Sequence, residues 1–402
     1  MPSTSPSIAT VNMPLSGYFT PRVLIVALTG LCVFLNVYAT QPILPLFTQI
    51  FHATPFQASL TDSATALAIA LSAPWMGLVA ERFGRKHTMA ISVAILTIPT
   101  LLAATSPGLK TLVMWRFVQG LCMPGIITVT LAYVSEEWAS GGASAVMAAY
   151  VSGTVLGGVC GRLLSGIIAA HWNWRVVFIV LGGLNGLGAA AIWRWLPHSR
   201  HFHAAPRLQD AFADMLDHLR QWRMVVTFCI GSITLFALVG TFTSVAFYLA
   251  APPFGLGTAQ LGLIFLVYLV GVIFTPIGGQ WIERIGHRRA FVVAALLTAG
   301  GVMLTLVQHL PIVACGLAIG STGVFLSQAA TASYLGHISG RAKASAAGLY
   351  SMFYYFGGTI GGGLPAIYHA EGWPACVYLT VAVLGISIAL AIIAWKPTNI
   401  AG

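Results

Sequence analysis

Long apolar runs separated by short polar breaks recur along this chain from end to end. They fall at 21–45, 57–80, 88–104, 110–134, 143–170, 174–195, 223–250, 258–282, 290–308, 311–337, 343–369 and 374–395. Each is near the roughly 20 residues an α-helix needs to cross a hydrocarbon layer. The pattern predicts an all-α integral membrane protein with twelve transmembrane helices. One connection, 196–222, is long and polar and contains Pro197, His198, His201, His203 and Pro206. Within it Leu208, Phe212, Met215, Leu216 and Leu219 recur at helical spacing, with Asp210, Asp214 and Asp217 among them. That spacing predicts a short amphipathic helix on the membrane surface. The expected organisation is an N-terminal six-helix bundle over 1–195, a linker over 196–222 and a C-terminal six-helix bundle over 223–402.

The two halves repeat. Pro74, Gly77, Glu81-Arg82, Gly84 and the basic run Arg85-Lys86-His87 return 202 residues later as Pro276, Gly279, Glu283-Arg284, Gly286 and His287-Arg288-Arg289. Each copy ends one apolar run and starts the next. A second correspondence links Tyr150, Gly157-Gly158, Gly161 and Trp174 with Tyr350, Gly357-Gly358, Gly361 and Trp373. Both copies run in the same direction, which makes the halves parallel six-span repeats. Parallel halves related by an axis along the membrane normal are one way secondary transporters are built.

Composition agrees. The chain is 57% hydrophobic and 7% charged, with mean hydropathy +0.86, against about 25% charge in a soluble domain. The residues 1–16 carry no Lys or Arg and so lack the basic start of a cleaved signal peptide; the first apolar run is expected to be retained. If the N-terminus is cytoplasmic, an even span number places the C-terminus there too. Fifteen of the 19 basic residues then lie on the cytoplasmic side, leaving Lys110, Arg116, Arg162 and Arg175. This is the positive-inside pattern of a multi-pass cytoplasmic (inner) membrane protein. It accounts for the +10 net charge without nucleic acid as a partner. Cys32, Cys122, Cys160, Cys229, Cys315 and Cys376 fall in or beside spans with no Cys-x-x-Cys pair, so neither a disulfide frame nor a metal site is expected.

Several motifs resemble those of the major facilitator superfamily over essentially the full chain. The loop between spans two and three matches that family's Gly-x-Leu-Ala-Asp-Arg-x-Gly-Arg-Lys at Gly77, Ala80, Arg82, Gly84, Arg85 and Lys86, with Val79 and Glu81 in place of Leu and Asp. The span-four Arg-x-x-Gln-Gly is Arg116-Phe-Val-Gln119-Gly120. Pro42-Ile-Leu-Pro45 resembles a span-one motif of drug exporters. Gly153, Gly157, Gly158 and Gly161 resemble the span-five glycine motif of antiporters, with Gly158 where proline is usual. The resemblance implies a twelve-span transporter of the drug:proton antiporter or sugar-efflux-like branch, with the loop acting as a conformational latch. Glu136 and Glu137, at the hairpin end of span four, are the expected partners of Arg85. Glu81 is expected to face the start of span eleven near Ser339-Gly340-Arg341, and the span-five glycines to pack closely against the other half.

Three ionisable residues sit inside spans: Asp62, Arg116 and Arg162. Each costs about 2.5–3.5 kcal/mol at a helix centre on insertion scales. Each lies a few turns from the same end of its span, so all three can share one layer, with Asp62 as a proton site. Asp62 has Ile264 near its repeat-related position, and Arg162 has Gly362, so the second half lacks those charges. Its cavity is expected to be aromatic and polar, from Tyr248, Tyr268, Gln328, Tyr350, Tyr354 and Tyr355. Asn36, Tyr38, Gln41, Arg116 and Gln119 are expected to line the first half's side. No Walker A sequence is present, and no nucleophile–base or metal cluster suggests an enzyme. The expected function is proton-coupled efflux of a small molecule by alternating access, by a monomer without cofactors. The alternative is proton-coupled import of a small organic anion attracted by Arg116 and Arg162.

Overall fold

A computed structural model describes residues 21–138, 143–197, 208–340 and 343–395. Span one is Pro21–Val37, a short 3-10 turn Gln41–Ile43 and Leu44–Ile50. Spans two and three are Pro55–Phe83 and Arg85–Ala103. Span four is Leu109–Cys122 continued by Pro124–Glu137, and spans five and six are Ala143–His171 and Trp174–Trp195. Span seven is Trp222–Ala250. Span eight is Thr258–Ile264, a 3-10 turn Phe265–Val267 and Tyr268–Ile285. Spans nine and ten are His287–Leu304 and Leu310–Ile338. Span eleven is Lys343–Gly361 followed by Pro365–Glu371, and span twelve is Trp373–Ala394. Among the described residues, nine of these helices carry a window long and apolar enough to cross a membrane on its own. Spans two and eleven fall outside that set, and span eight contributes a shorter apolar helix, Thr258–Phe274. The linker helix Leu208–Arg220 forms where the spacing predicts it, and Met215 rests against a cluster of Met224, Phe228, Leu335 and Leu349.

The breaks follow from proline. Pro42 and Pro45 occupy first-turn positions of the two segments after Val37, where their missing N–H groups cost nothing. Pro124 restarts span four after Cys122 in the same way. A helix stopped inside the membrane leaves its last carbonyls without intrahelical donors, and those of span one are used by the site described below.

Glycine sets the turns and the closest helix contacts. Gly84 and Gly286 sit at φ 83 and 84 with ψ 146 and 149, a region essentially reserved for glycine. Both let one span end and the next begin without a linker. In span five, a Cβ at Gly153, Gly157 or Gly161 would strike the backbone of Ala27, Leu31 or Leu35. The four-residue steps match on both helices, so spans one and five run parallel at backbone contact. Spans seven and eleven repeat this, with Gly357 on Ser232 and Gly361 on Phe236. This corrects the expectation for span five: Gly153, Gly157 and Gly161 close against their own repeat. Gly158 meets only its own helix's Arg162. Gly166, one turn further, is the span-five glycine that touches the other repeat, at the Thr258 carbonyl and Gly262.

A methyl at Gly157 has the Leu31 Cα at 2.9 Å, whereas nothing lies within 4 Å of one at Gly183. Gly157→Ala is expected to cost about 1–3 kcal/mol and Gly183→Ala to be neutral or stabilising. Thermal unfolding of the two purified variants in detergent tests this; equal loss at both positions would refute the tight ladder.

Candidate functional site

The centre of the first repeat is Arg116, the eighth residue of span four and fully buried. All five guanidinium N–H groups are engaged. Nε donates to the Thr61 carbonyl at 3.0 Å. Nη1 donates to the Asn36 carbonyl at 2.8 Å and to Gln119 Oε1 at 2.6 Å. Nη2 donates to the Val37 carbonyl at 2.7 Å and to Asp62 Oδ1 at 3.4 Å. The break in span one leaves the Val37 carbonyl without a backbone donor among the described residues and the Asn36 carbonyl with only a 3.4 Å bond from the Ala39 N–H. Gly120 completes the motif: a Cβ there would run into the Thr65 carbonyl of span two. Spans two and four therefore cross at backbone contact, and the Thr65 hydroxyl donates to the Arg116 carbonyl at 3.1 Å.

Asp62 is buried. Its Oδ1 accepts from the Thr40 hydroxyl as well as from Arg116. Its Oδ2 has no hydrogen-bond partner among the described residues. Thr61 donates to Thr40 at 3.4 Å, so a short hydroxyl chain runs from span two to span one beside the carboxylate.

Arg162 is held differently. Its Nε donates to Gln41 Oε1 at 2.7 Å, and its Nη1 to the Gly158 carbonyl, one turn back, at 2.7 Å. The guanidinium carbon stands 5.1 Å from the Tyr38 ring, 4.9 Å from the Phe265 ring and 5.1 Å from the Tyr268 ring, within cation–π range. Phe265 and Tyr268 belong to span eight. Gln41 also reaches the second repeat, donating from Nε2 to the Thr243 hydroxyl of span seven at 3.1 Å. No acid lies within ion-pair distance of Arg162 among the described residues.

The structure thus brings Asp62, Arg116 and Gln119 into one cluster and Tyr38, Gln41 and Arg162 into an adjoining one. Asn36 contributes through its backbone. Its side chain turns away, donating to the Cys32 carbonyl at 2.9 Å and to Asn185 Oδ1 of span six at 3.2 Å. On the second repeat, Tyr350 stacks on Tyr354 at 5.7 Å and Tyr354 meets Tyr355 edge-on at 5.6 Å. The Tyr38, Tyr150 and Tyr350 hydroxyls are buried without partners among the described residues. Tyr248 instead stacks on Trp373 at 5.0 Å, a packing contact. Gln328 is half-buried. Thr40, Thr243 and Phe265 were not singled out from the sequence. Thr40 adjoins the Pro42 break, a usable signal; Thr243 and Phe265 carry none.

At the hairpin end of the bundle Arg85 forms a bidentate pair with Glu136, Nη2–Oε1 2.7 Å and Nε–Oε2 3.3 Å. The pair joins spans three and four of the same repeat. Arg82 is exposed and Lys86 buried. Glu137 has a further interaction of its own. The surroundings of Gly77, the side chain of Glu81 and residue Arg341 lie outside what the structure describes.

The description Major Facilitator Superfamily belongs to the family model that matches residues 26–271 and 232–400. The chain is 32% identical over 340 residues to an uncharacterized MFS-type transporter, YybF, of Bacillus subtilis (strain 168), covering 83% of this chain and 84% of that one. It is 30% identical over 346 residues to the inner membrane transport protein YnfM of Escherichia coli (strain K12), covering 86% and 83%. The solved structure of nucleoside transporter NupG matches with a TM-score of 0.76 at 14% identity, over 94% of this chain and 100% of that one. A bacterial homolog of the human lysosomal transporter Spinster, inward-facing and occupied, matches at 0.73 and 16% identity, over 94% and 98%; at these identities the two structures speak for the fold alone. Two parallel six-helix repeats, the matched family model and relatives covered over most of their length make this chain a multi-pass membrane transport protein, not an enzyme, that belongs to the major facilitator superfamily.

Proposed function

We propose that this transporter exports a small molecule across the cytoplasmic membrane in exchange for protons. The bundles 1–195 and 223–402 rock about a site between them, and 196–222 acts as the linker. The observation that carries the reading is Asp62 Oδ2, a buried carboxylate oxygen without a hydrogen-bond partner among the described residues, beside a fully engaged arginine. A proton arriving there neutralises the acid. Arg116 then keeps four neutral acceptors and stays in place. Charge in the layer changes by one while the scaffold is preserved, which is what a coupling site requires. Efflux is favoured by Pro42-x-x-Pro45 and by the span-five glycines, both of exporter type. The name of YnfM, an inner membrane transport protein, supports the location, and the basic residues at the hairpin end support cytoplasmic termini. The chain is taken to work as a monomer.

The gate on the side opposite the hairpins is formed by Arg162, Gln41 and Thr243 together with the contact of Gly166 on span eight. These contacts join the two repeats, so they must separate when that side opens. At the hairpin end, the Gly84 turn and the Arg85–Glu136 pair fix spans two to four as one unit. We assign Gly77, Glu81, Arg82, Gly84, Arg85, Lys86, Glu136 and Glu137 to a latch that favours one conformation.

A second reading concerns the substrate's charge. Arg116 has no N–H left for an anion, whereas Arg162 lacks an acidic partner among the described residues. An uncompensated cation at this depth favours a substrate with an acidic group, which in an importer would be a small organic anion.

One assay separates these readings. In proteoliposomes, Asp62→Asn is expected to abolish accumulation driven by a proton gradient while substrate exchange persists. Arg162→Gln is expected to weaken transport of anionic substrates about tenfold more than that of neutral ones. Full proton-driven transport by Asp62→Asn would remove Asp62 from the coupling step. Gly84→Val forces a β-branched residue into a glycine-only conformation at a cost of about 1–3 kcal/mol. It should stop transport in protein that still inserts; normal transport by inserted Gly84→Val would end the latch proposal. For orientation, single cysteines at positions 203 and 399, in a cysteine-free background, should react from the cytoplasmic side only, and one at 107 from the opposite side. Labelling of 203 and 107 from the same side would overturn the twelve-span topology.

A further inference from the structure

Spans three and six run antiparallel, and their hairpin ends enclose a cleft of about 230 Å³ lined by Lys86, His87, Trp193 and Arg194. The two cations differ from the arginine next to them. Arg85 is neutralised by Glu136. Lys86 is only 9% exposed, yet it has no hydrogen bond or ion pair among the described residues. No carboxylate lies within ion-pair distance of Lys86 or Arg194 among those residues. Lys86 also stands in the first turn of a 19-residue helix, whose free N–H groups add partial positive charge. A cation lining a cleft without a protein acceptor leaves its charge for an anion from outside the chain to answer. His87 meets Trp193 edge-on at 5.8 Å, which gives the cleft an aromatic wall.

What lies beneath the cleft decides the source of that anion. On span three, Ile91, Ile95 and Ile98 follow His87 at steps of four, four and three, and all are exposed. On span six, Leu187 lies seven residues before Arg194 and is 71% exposed. Helical periodicity puts these residues on the faces that carry the basic groups. The basic cleft therefore caps an apolar surface that acyl chains cover, with Trp193 at the depth where indoles sit in the membrane interface. We propose that this cleft binds the phosphodiester headgroup of an acidic phospholipid. Lys86 and Arg194 hold the phosphate oxygens, Arg194 through its planar fork, and the acyl chains run down the isoleucine face of span three. A free phosphate would use the charges and leave the apolar surface unused. The lipid would bear on the hairpin between spans two and three, since Lys86 immediately follows Gly84-Arg85.

Native mass spectrometry of the purified full chain tests this, with phosphatidylglycerol, phosphatidylethanolamine and inorganic phosphate as separate probes. The wild type is expected to retain one phosphatidylglycerol in preference to phosphatidylethanolamine. Lys86→Gln and Arg194→Gln should each weaken retention about 5-fold and the double variant about 30-fold. Arg194→Lys should recover most of the loss. Because Arg194 is exposed, its single variant reads the site even if the buried Lys86 substitution impairs folding. Undiminished retention by Arg194→Gln overturns the site. Equal retention of phosphatidylethanolamine overturns the acidic headgroup, and displacement of phosphatidylglycerol by inorganic phosphate at comparable concentration overturns the lipid as occupant.

Discussion

A guanidinium inside the hydrocarbon layer is costly unless its N–H groups are answered, and Arg116 has all five answered by groups from three helices. Its acceptors are two carbonyls from span one, a carbonyl and a carboxylate from span two, and Gln119 on its own span. Replacing any helix by one displaced by a turn would strand a buried charge, at a cost far above that of a lost apolar contact. The arginine therefore fixes the relative depth of spans one, two and four. It also explains why span one must break where it does: without the interruption after Val37, the Asn36 and Val37 carbonyls would be spent inside the helix. The proline pair and the arginine are two halves of one device.

The two repeats share a scaffold and divide the chemistry. The glycine ladder of span five on span one has its counterpart in span eleven on span seven, and the two hairpins turn on glycines of nearly identical conformation. These features depend on backbone approach, which a duplicated fold reproduces. Polar side chains are not reproduced. Asp62, Arg116 and Arg162 all stand in the first repeat, and the second answers with rings, Phe265 and Tyr268 against Arg162 and the stack of Tyr350 and Tyr354. Charge on one side and aromatic faces on the other join the repeats without an ion pair across them among the described residues.

Within the first repeat the two arginines have opposite standing. Arg116 is saturated and structural. Arg162 sits at the seam between the repeats, bound through Gln41 and aromatic faces, and lacks an acid among the described residues. The sequence treats them alike, as intramembrane cations of similar depth. Their difference arises from which helix lies opposite: span four faces a broken helix with spare carbonyls, and span five faces the rings of span eight.

Most of the architecture is legible in the order of residues alone. Twelve apolar runs, the 202-residue offset of the hairpin and the parallel direction of the copies dictate the helices, their repeat and the turns at Gly84 and Gly286, because hydropathy, proline and glycine act locally. The pairing of Asp62 with Arg116 was within reach, since both lie a similar number of residues from the same end of their spans, and so was that of Arg85 with Glu136. What the sequence could not give is which surfaces meet. Glycines at four-residue steps announce a close contact without naming the partner, and the partner proved to be span one rather than the opposite repeat. Nor does any pattern single out Thr243 or Phe265, residues common in apolar helices, as contacts of Gln41 and Arg162. Those choices belong to tertiary packing, where the rotation of each helix about its own axis decides whether a side chain faces lipid, a neighbour or the seam between the repeats.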